Sequence, residues 1–195
     1  MIKNFPIVCI GGSAGGTESY VKILKHLAVD TGVAIVIVNH IALTPANLHK
    51  FLSHYTAMPV ELVTAGLRTK PNHVFVIPSN RDLHVLDGKF YLQSRSKLNG
   101  WPNVITVFLR SLVHHWNGTI IAVIVSGLDA DGAAALKEVK NVGGITIAQT
   151  PDDAEWSDMP ESAIKTGDVD YVLSLEAIAH KISRLVTRTP KIRTK

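Results

Sequence analysis

Residues 9–20, CIGGSAGGTESY, set four glycines around Ser13 where an apolar run ends. Three chemistries compete for such a loop. The dinucleotide fingerprint G-x-G-x-x-G needs glycine where this chain has Ser13, and the P-loop G-x-x-x-x-G-K-[ST] puts Thr17 where its phosphate-binding lysine belongs. The pattern that fits is G-x-S-x-G, as Gly11-Gly12-Ser13-Ala14-Gly15, between a strand and a helix. Small flanking residues let the backbone turn sharply and lift the hydroxyl clear, while the helix N-terminus behind favours a developing oxyanion. A glycine-rich turn with a serine also arises without chemistry, so a nucleophile needs a base and an orienting acid at neighbouring strand ends.

His40 follows the apolar run 33–38 by two residues, which in a parallel sheet puts it on the same edge as Ser13. A lone histidine there is more often a capping or hydrogen-bonding residue than a base. SGLDADGAAAL, after the apolar run 119–125, brings Asp129 and Asp131 to another carboxyl edge, and Asp131 ahead of Gly132-Ala133-Ala134 also reads as a helix N-cap. The same stretch mimics a calcium loop counted from Gly127, but its first position is glycine and a strand precedes it. Ser13, His40 and Asp131 thus offer nucleophile, base and orienter in the order Ser…His…Asp. That order differs from the Ser…Asp…His of α/β-hydrolases, and a triad is defined by geometry, not order. His49, His54, His114 and His115 lack ligand spacing, so no metal or organic cofactor is implied.

The elements that must position these residues alternate. Strands are expected over 7–10, 33–38, 59–65, 73–77, 119–125, 144–149 and 171–173, with helices over 17–27, 132–142, near 160–165 and from 175. Thr44-Pro45 supplies an N-cap and N1 proline for a helix to about residue 54, and Val104, Val107, Phe108, Leu112 and His115 recur at helical spacing after a polar loop over 94–103. Asp87-Gly88 between 82–86 and 89–93 spells a hairpin with a type I′ turn. This α/β pattern predicts an open, mostly parallel, doubly wound (Rossmann-like) sheet with helices on both faces and one β-hairpin, its sites at the carboxyl ends of strands.

A chain of 195 residues, 46% hydrophobic, supports one buried core, expected over 1–187 with a basic tail at 188–195. Residues 181–195 hold six of the 20 Lys and Arg and no acid; the other 180 hold 14 against 16 acids, a net −2. No basic groove with interleaved aromatics remains to suggest nucleic acid. No apolar run approaches the ~20 residues of a membrane span, and the start lacks a signal-peptide core. One cysteine, Cys9, excludes a disulfide framework, and the cytosol is the expected compartment.

IGGSAGGT, VIVNH, VFVIPSNRDLHV, VIVSGLDADGAAAL, GGITIAQ and DMPESAI together resemble, in order and spacing, the catalytic domain of chemotaxis protein-glutamate methylesterases of the CheB type. The similarity runs from Ile7 to about Leu185. It implies a serine hydrolase with Ser13 as nucleophile, His40 as base and Asp131 as its partner, and oxyanion N–H groups from Ala14 and Leu128. The implied substrates are γ-glutamyl methyl esters, and some glutamines, on the cytoplasmic helices of chemoreceptors. Ala14 replaces a usual threonine, Leu128 a common methionine, and 99–103 a stretch that often holds Arg and His. The family's usual N-terminal receiver domain has no counterpart, so a separate receiver-domain regulator is an expected partner. Two other readings stay open: an esterase or amidase acting on another acyl group, and a low-turnover regulatory or docking module.

Overall fold

Every residue of the run Ala34–Asn39 is buried, which a strand can achieve only in the middle of a sheet covered on both faces. The computed structural model of the chain describes residues 5–39, 47–98 and 101–187. His40, Thr44, Pro45, Asn99, Gly100 and the tail 188–195 lie outside them.

Seven parallel strands form the main sheet: β1 (Ile7–Gly12), β2 (Ala34–Asn39), β3 (Val60–Leu62), β4 (His73–Val76), β9 (Ile120–Ile124), β10 (Ile145–Gln149) and β11 (Tyr171–Leu173), in the order β11-β10-β9-β1-β2-β4-β3. A hairpin, β5 (Arg81–Leu86) with β6 (Lys89–Ser94), stands apart, as does a small ribbon of β7 (Lys97–Leu98) and β8 (Trp101–Pro102). The helices are α1 (Gly16–Lys25), α2 (Leu48–Leu52), α3 (Val104–His115), α4 (Leu136–Asn141), α5 (Asp158–Lys165) and α6 (Leu175–Thr187).

Strand side chains alternate between two cores. Cys9, Val36 and Ala122 join α3, α4, α5 and the hairpin on one face; Ile10, Ile37 and Val123 join α1, α2 and α6 on the other. Each fully buried Val or Ile contributes about 1.5–3 kcal/mol, so the apolar runs demand this two-sided cover.

The expected hairpin turn is present, with Asp87 and Gly88 both at positive φ, 51° and 69°. Three local expectations are corrected. The loop over 94–103 holds the β7–β8 ribbon. On α3 Val104, Phe108 and Leu112 are buried as expected, but the buried face extends to Ile105 and Leu109, and His115 is exposed. The single helix expected over 132–142 is broken: Gly132 takes φ 92°, a 3-10 turn covers Ala133–Ala135, and α4 begins only at Leu136.

Near the far edge, the Asp170 carboxylate accepts Thr146 N–H and Thr146 Oγ1–H, both at 3.0 Å, and pairs with Lys140 Nζ at 2.9 Å, tying β10 to the turn before β11. Burial pushes its pKa up, but Lys140 and Thr146 outweigh that and hold it below the usual carboxylate value. A depressed folded pKa contributes stability above the unfolded value, about 4, that is lost as pH falls through the folded one. Asp170→Ala should therefore cost about 1.5 kcal/mol at pH 7, and the gap from wild type should close below about pH 4. Urea melts across that range check it; a constant gap would refute the ionic origin.

Candidate active site

β1 and β9 end together and stay bonded past their last residues. Val125 N–H donates to Gly11 C=O and Ser13 N–H to Ser126 C=O, both at 2.9 Å. The strand order reverses here, because the chain leaves β1 toward β2 and β4 on one side and returns to β9 on the other. A doubly wound sheet opens its ligand crevice at such a point. Ser13, 7% exposed, forms one lip, and the segment from Ser126 to Asp131 forms the other.

Two glycines permit the close approach. Gly15 takes φ 71°, and a Cβ there would lie 2.5 Å from Ser126 Oγ and 2.8 Å from Glu155 Cβ. At Gly127 a Cβ would collide with Met159 Sδ and come within 2.9 Å of Ser13 Cβ. Gly127 therefore lets the second lip lie directly against the serine. Ala14 follows that serine and Leu128 follows that glycine. Among the described residues, neither the Ala14 N–H nor the Leu128 N–H donates a hydrogen bond.

Asp131 is also 7% exposed. Its Oδ2 accepts Ile105 N–H at 2.8 Å, and its Oδ1 accepts Thr106 N–H at 2.9 Å and Thr106 Oγ1–H at 2.8 Å. Those amides belong to the first turn of α3, whose own N-cap residue Asn103 makes no side-chain cap bond. Asp131 is thus an N-cap, but of α3 and not of the helix that comes after it in the chain. Its peptide neighbour Gly132 donates to Thr106 Oγ1 at 2.8 Å, which pulls residues 131–132 toward α3 and accounts for the delayed start of α4. The helix end favours the ionised carboxylate. Arg95 lies in the same field: burial lowers its pKa, and Asp82 and Asp131 oppose that. Burial, and after it the charge of Asp131, pushes the Cys9 thiol far up, so it stays protonated and is no rival nucleophile.

β2 ends level with β1, Asn39 opposite Gly12, so the chain leaves β2 one strand away from Ser13. His40 is the next residue, outside the described ones. Asp129 accepts the Asp131 N–H through Oδ1 at 2.8 Å. Among the described residues, no three His, Cys, Asp or Glu gather as metal ligands.

Ser126, Gln149 and Thr106 belong to none of the candidate site residues of the sequence. Ser126 and Gln149 carried a signal: each is a polar residue closing an apolar central strand, and each is buried, at 0% and 1% exposure. Thr106 carried none, because its partner Asp131 is distant in sequence.

The model of the CheB methylesterase family matches residues 8–182. The chain belongs to that family. A Burkholderia thailandensis protein named protein-glutamate methylesterase/protein-glutamine glutaminase 4 is 34% identical over 185 residues, covering 94% of this chain and 54% of that protein. The chain spans about half the length of this and other curated relatives it matches. A Leptospira interrogans relative is 34% identical over 184 residues, with 93% of this chain and 95% of that one aligned. The crystal structure of the Thermotoga maritima CheB methylesterase catalytic domain superposes with TM-score 0.84 at 30% identity, over 94% of this chain and 100% of that one.

Capping α3 gives Asp131 a role in stability. Asp131→Asn replaces one acceptor oxygen by an NH₂ that faces an amide donor, so it should remove about 1–2 kcal/mol and lower the melting temperature by roughly 3–6 °C. Asp129→Asn keeps an oxygen for the Asp131 N–H and should shift melting by no more than about a degree. Thermal melts of both variants decide; an unshifted Asp131→Asn would mean that the carboxylate does not cap α3.

Proposed function

We propose that this chain is a serine hydrolase that cleaves γ-glutamyl methyl esters on protein side chains. One conjunction carries the reading. At the β1–β9 crevice a serine on a tight turn stands beside two N–H groups that meet no acceptor among the described residues, and a nearby carboxylate is held by a helix end. The relatives' names, which say protein-glutamate methylesterase and protein-glutamine glutaminase of those proteins, support it.

In this mechanism Ser13 Oγ attacks the ester carbonyl as His40 takes its proton. The oxyanion accepts hydrogen bonds from the N–H groups of Ala14 and Leu128. Collapse expels the alkoxy group, His40 returns the proton, and methanol leaves. Water, activated by the same base, then attacks the acyl-serine, releasing the glutamate carboxylate and restoring Ser13. A glutamine takes the same course and releases ammonia. Asp131 holds the imidazole in one tautomer and balances the imidazolium that forms. No metal or organic cofactor has a step in this scheme.

An open groove of about 460 Å³ runs from Gly15 past Glu18 and Glu155 to Phe51 and Tyr55. The groove meets the Ser13 turn only at Gly15, and Ser13, Leu128 and Asp131 are not among its lining residues, so it borders the crevice and does not form it. We assign the substrates to cytoplasmic helices of methylated chemoreceptors and the reaction to the cytosol. Among the described residues, no helix is long and apolar enough to cross a membrane. Residues 1–187 are the catalytic unit in this reading, and 188–195 an appended tail.

A fluorophosphonate should label Ser13 and no other serine, and Ser13→Ala should abolish labelling. Turnover of methylated receptor should vanish in His40→Ala and fall on the order of 10⁴-fold in Asp131→Asn. Unlabelled Ser13 would leave a docking module, and labelling without receptor demethylation would mean another acyl substrate.

A further inference from the structure

Ser126 is fully buried, and each of its polar groups is engaged. Its Oγ–H donates to Ala14 C=O at 2.8 Å, and Oγ accepts Trp156 N–H at 3.0 Å. Its C=O accepts the Ser13 N–H at 2.9 Å. Its N–H donates at 3.0 Å to Oε1 of buried Gln149, whose Nε2 in turn donates to Asp153 C=O at 2.8 Å. One residue therefore grips the nucleophile turn at two points, the amide before Ser13 and the carbonyl after Ala14, and is itself anchored to β10.

The second grip matters because of Gly15. Rotating the Ala14–Gly15 peptide changes ψ of Ala14 and φ of Gly15, and glycine accepts either sign of φ at little cost. At φ 71° the local backbone offers no strong reason to keep this peptide in place. The Ser126 hydroxyl supplies one. The preceding peptide is pinned at its carbonyl, since Ser13 C=O accepts Gly16 N–H at 3.0 Å. With both carbonyls flanking Ala14 held, the Ala14 N–H, trans to the Ser13 carbonyl, is fixed in direction and meets no acceptor among the described residues. An oxyanion donor works when aimed in advance.

We propose that Ser126 is a positioning residue that fixes the Ala14 N–H as an oxyanion donor. The role rests on the hydrolase reading and touches neither substrate nor proton. The hydroxyl acts through the Ala14 carbonyl, so its loss should weaken the transition state and leave substrate binding alone.

The test measures kcat and KM on a peptide carrying a γ-methyl glutamyl ester, and Ki for a peptide boronic acid whose adduct on Ser13 puts an oxygen where the oxyanion forms. Ser126→Ala should lower kcat roughly 10- to 100-fold, less than the ~10²–10³ for deleting a donor outright, because the Ala14 N–H persists but wanders. KM should stay within about twofold, and Ki should rise in step with the loss of kcat. Ser126→Thr, which keeps the hydroxyl, should recover kcat to within about threefold. Ser126→Cys, similar in volume with only a weak S–H donor, carries the same expectation as the alanine variant should that one fail to fold. Unchanged kcat in the alanine or cysteine variant, a loss confined to KM, an unmoved Ki, or a well-folded threonine variant as slow as alanine would each overturn the assignment. Those outcomes, in a wild type that is labelled at Ser13 and active, strike the clamp alone. A wild type neither labelled nor active refutes the hydrolase reading, and the clamp with it.

Discussion

The two hydrogen bonds that continue the β1–β9 ladder beyond both strands leave the loops after those strands no freedom to part. Adjacent parallel strands must run level, and here the level is carried on to Ser13 and Ser126. The path of the loop after each strand is then set by the other's backbone. Ser13 has Gly127 against its Cβ, and Gly15 has Ser126 against its Cα. A side chain on either glycine would push the lips apart, so the narrowness of the crevice and the presence of glycine on both sides are one requirement stated twice.

A second line of support reaches the crevice from α3. Its first-turn amides need acceptors, and Asp131 needs donors once buried. Each meets the other's need, and the bond seats the carboxylate as firmly as it seats the helix. Behind it, Phe108 of α3 packs against Phe90 of the hairpin, with ring centroids 6.5 Å apart, and Phe90 against Phe75 of β4 at 5.0 Å. The hairpin thus acts on the site at one remove, by fixing the helix whose end holds Asp131.

This division explains what the sequence could disclose. The strands were legible because most are short apolar runs rich in Val and Ile, and the hairpin because Asp-Gly accepts two positive φ angles in succession. Ser13 stood out because G-x-S-x-G sets glycine at fixed distances from it. Asp131 stood out as either a cap or a triad acid. The structure shows that it caps a helix, and that the helix is α3, a partner no local pattern could name. The break at Gly132 and the clamp at Ser126 share that origin. Both arise from hydrogen bonds between segments far apart in sequence, and periodicity carries no record of such pairs. The buried face of α3 is wider than the expected stripe for a different reason: the helix is apolar on more than one face, and contact with the hairpin and sheet buries Ile105 and Leu109 beside Val104, Phe108 and Leu112 while His115 stays outside.

Polar groups end three of the central strands, Asn39 after β2's apolar run, Ser126 after β9's and Gln149 after β10's, and all are buried. An unpaired buried polar group costs about 1–3 kcal/mol, so such residues persist where partners are specified closely. A cluster of apolar side chains can repack around a substitution; a hydroxyl bonded to one carbonyl and one amide has far fewer alternatives. Among the described residues, the backbone of the turn bearing Ser13 is held by the carbonyl and hydroxyl of Ser126 and by the Gly16 amide. That is why the side chains at Ala14 and Leu128 matter little to the direction of their backbone N–H groups. Both positions would contribute an N–H, and the direction of an N–H is decided by what holds the neighbouring carbonyls.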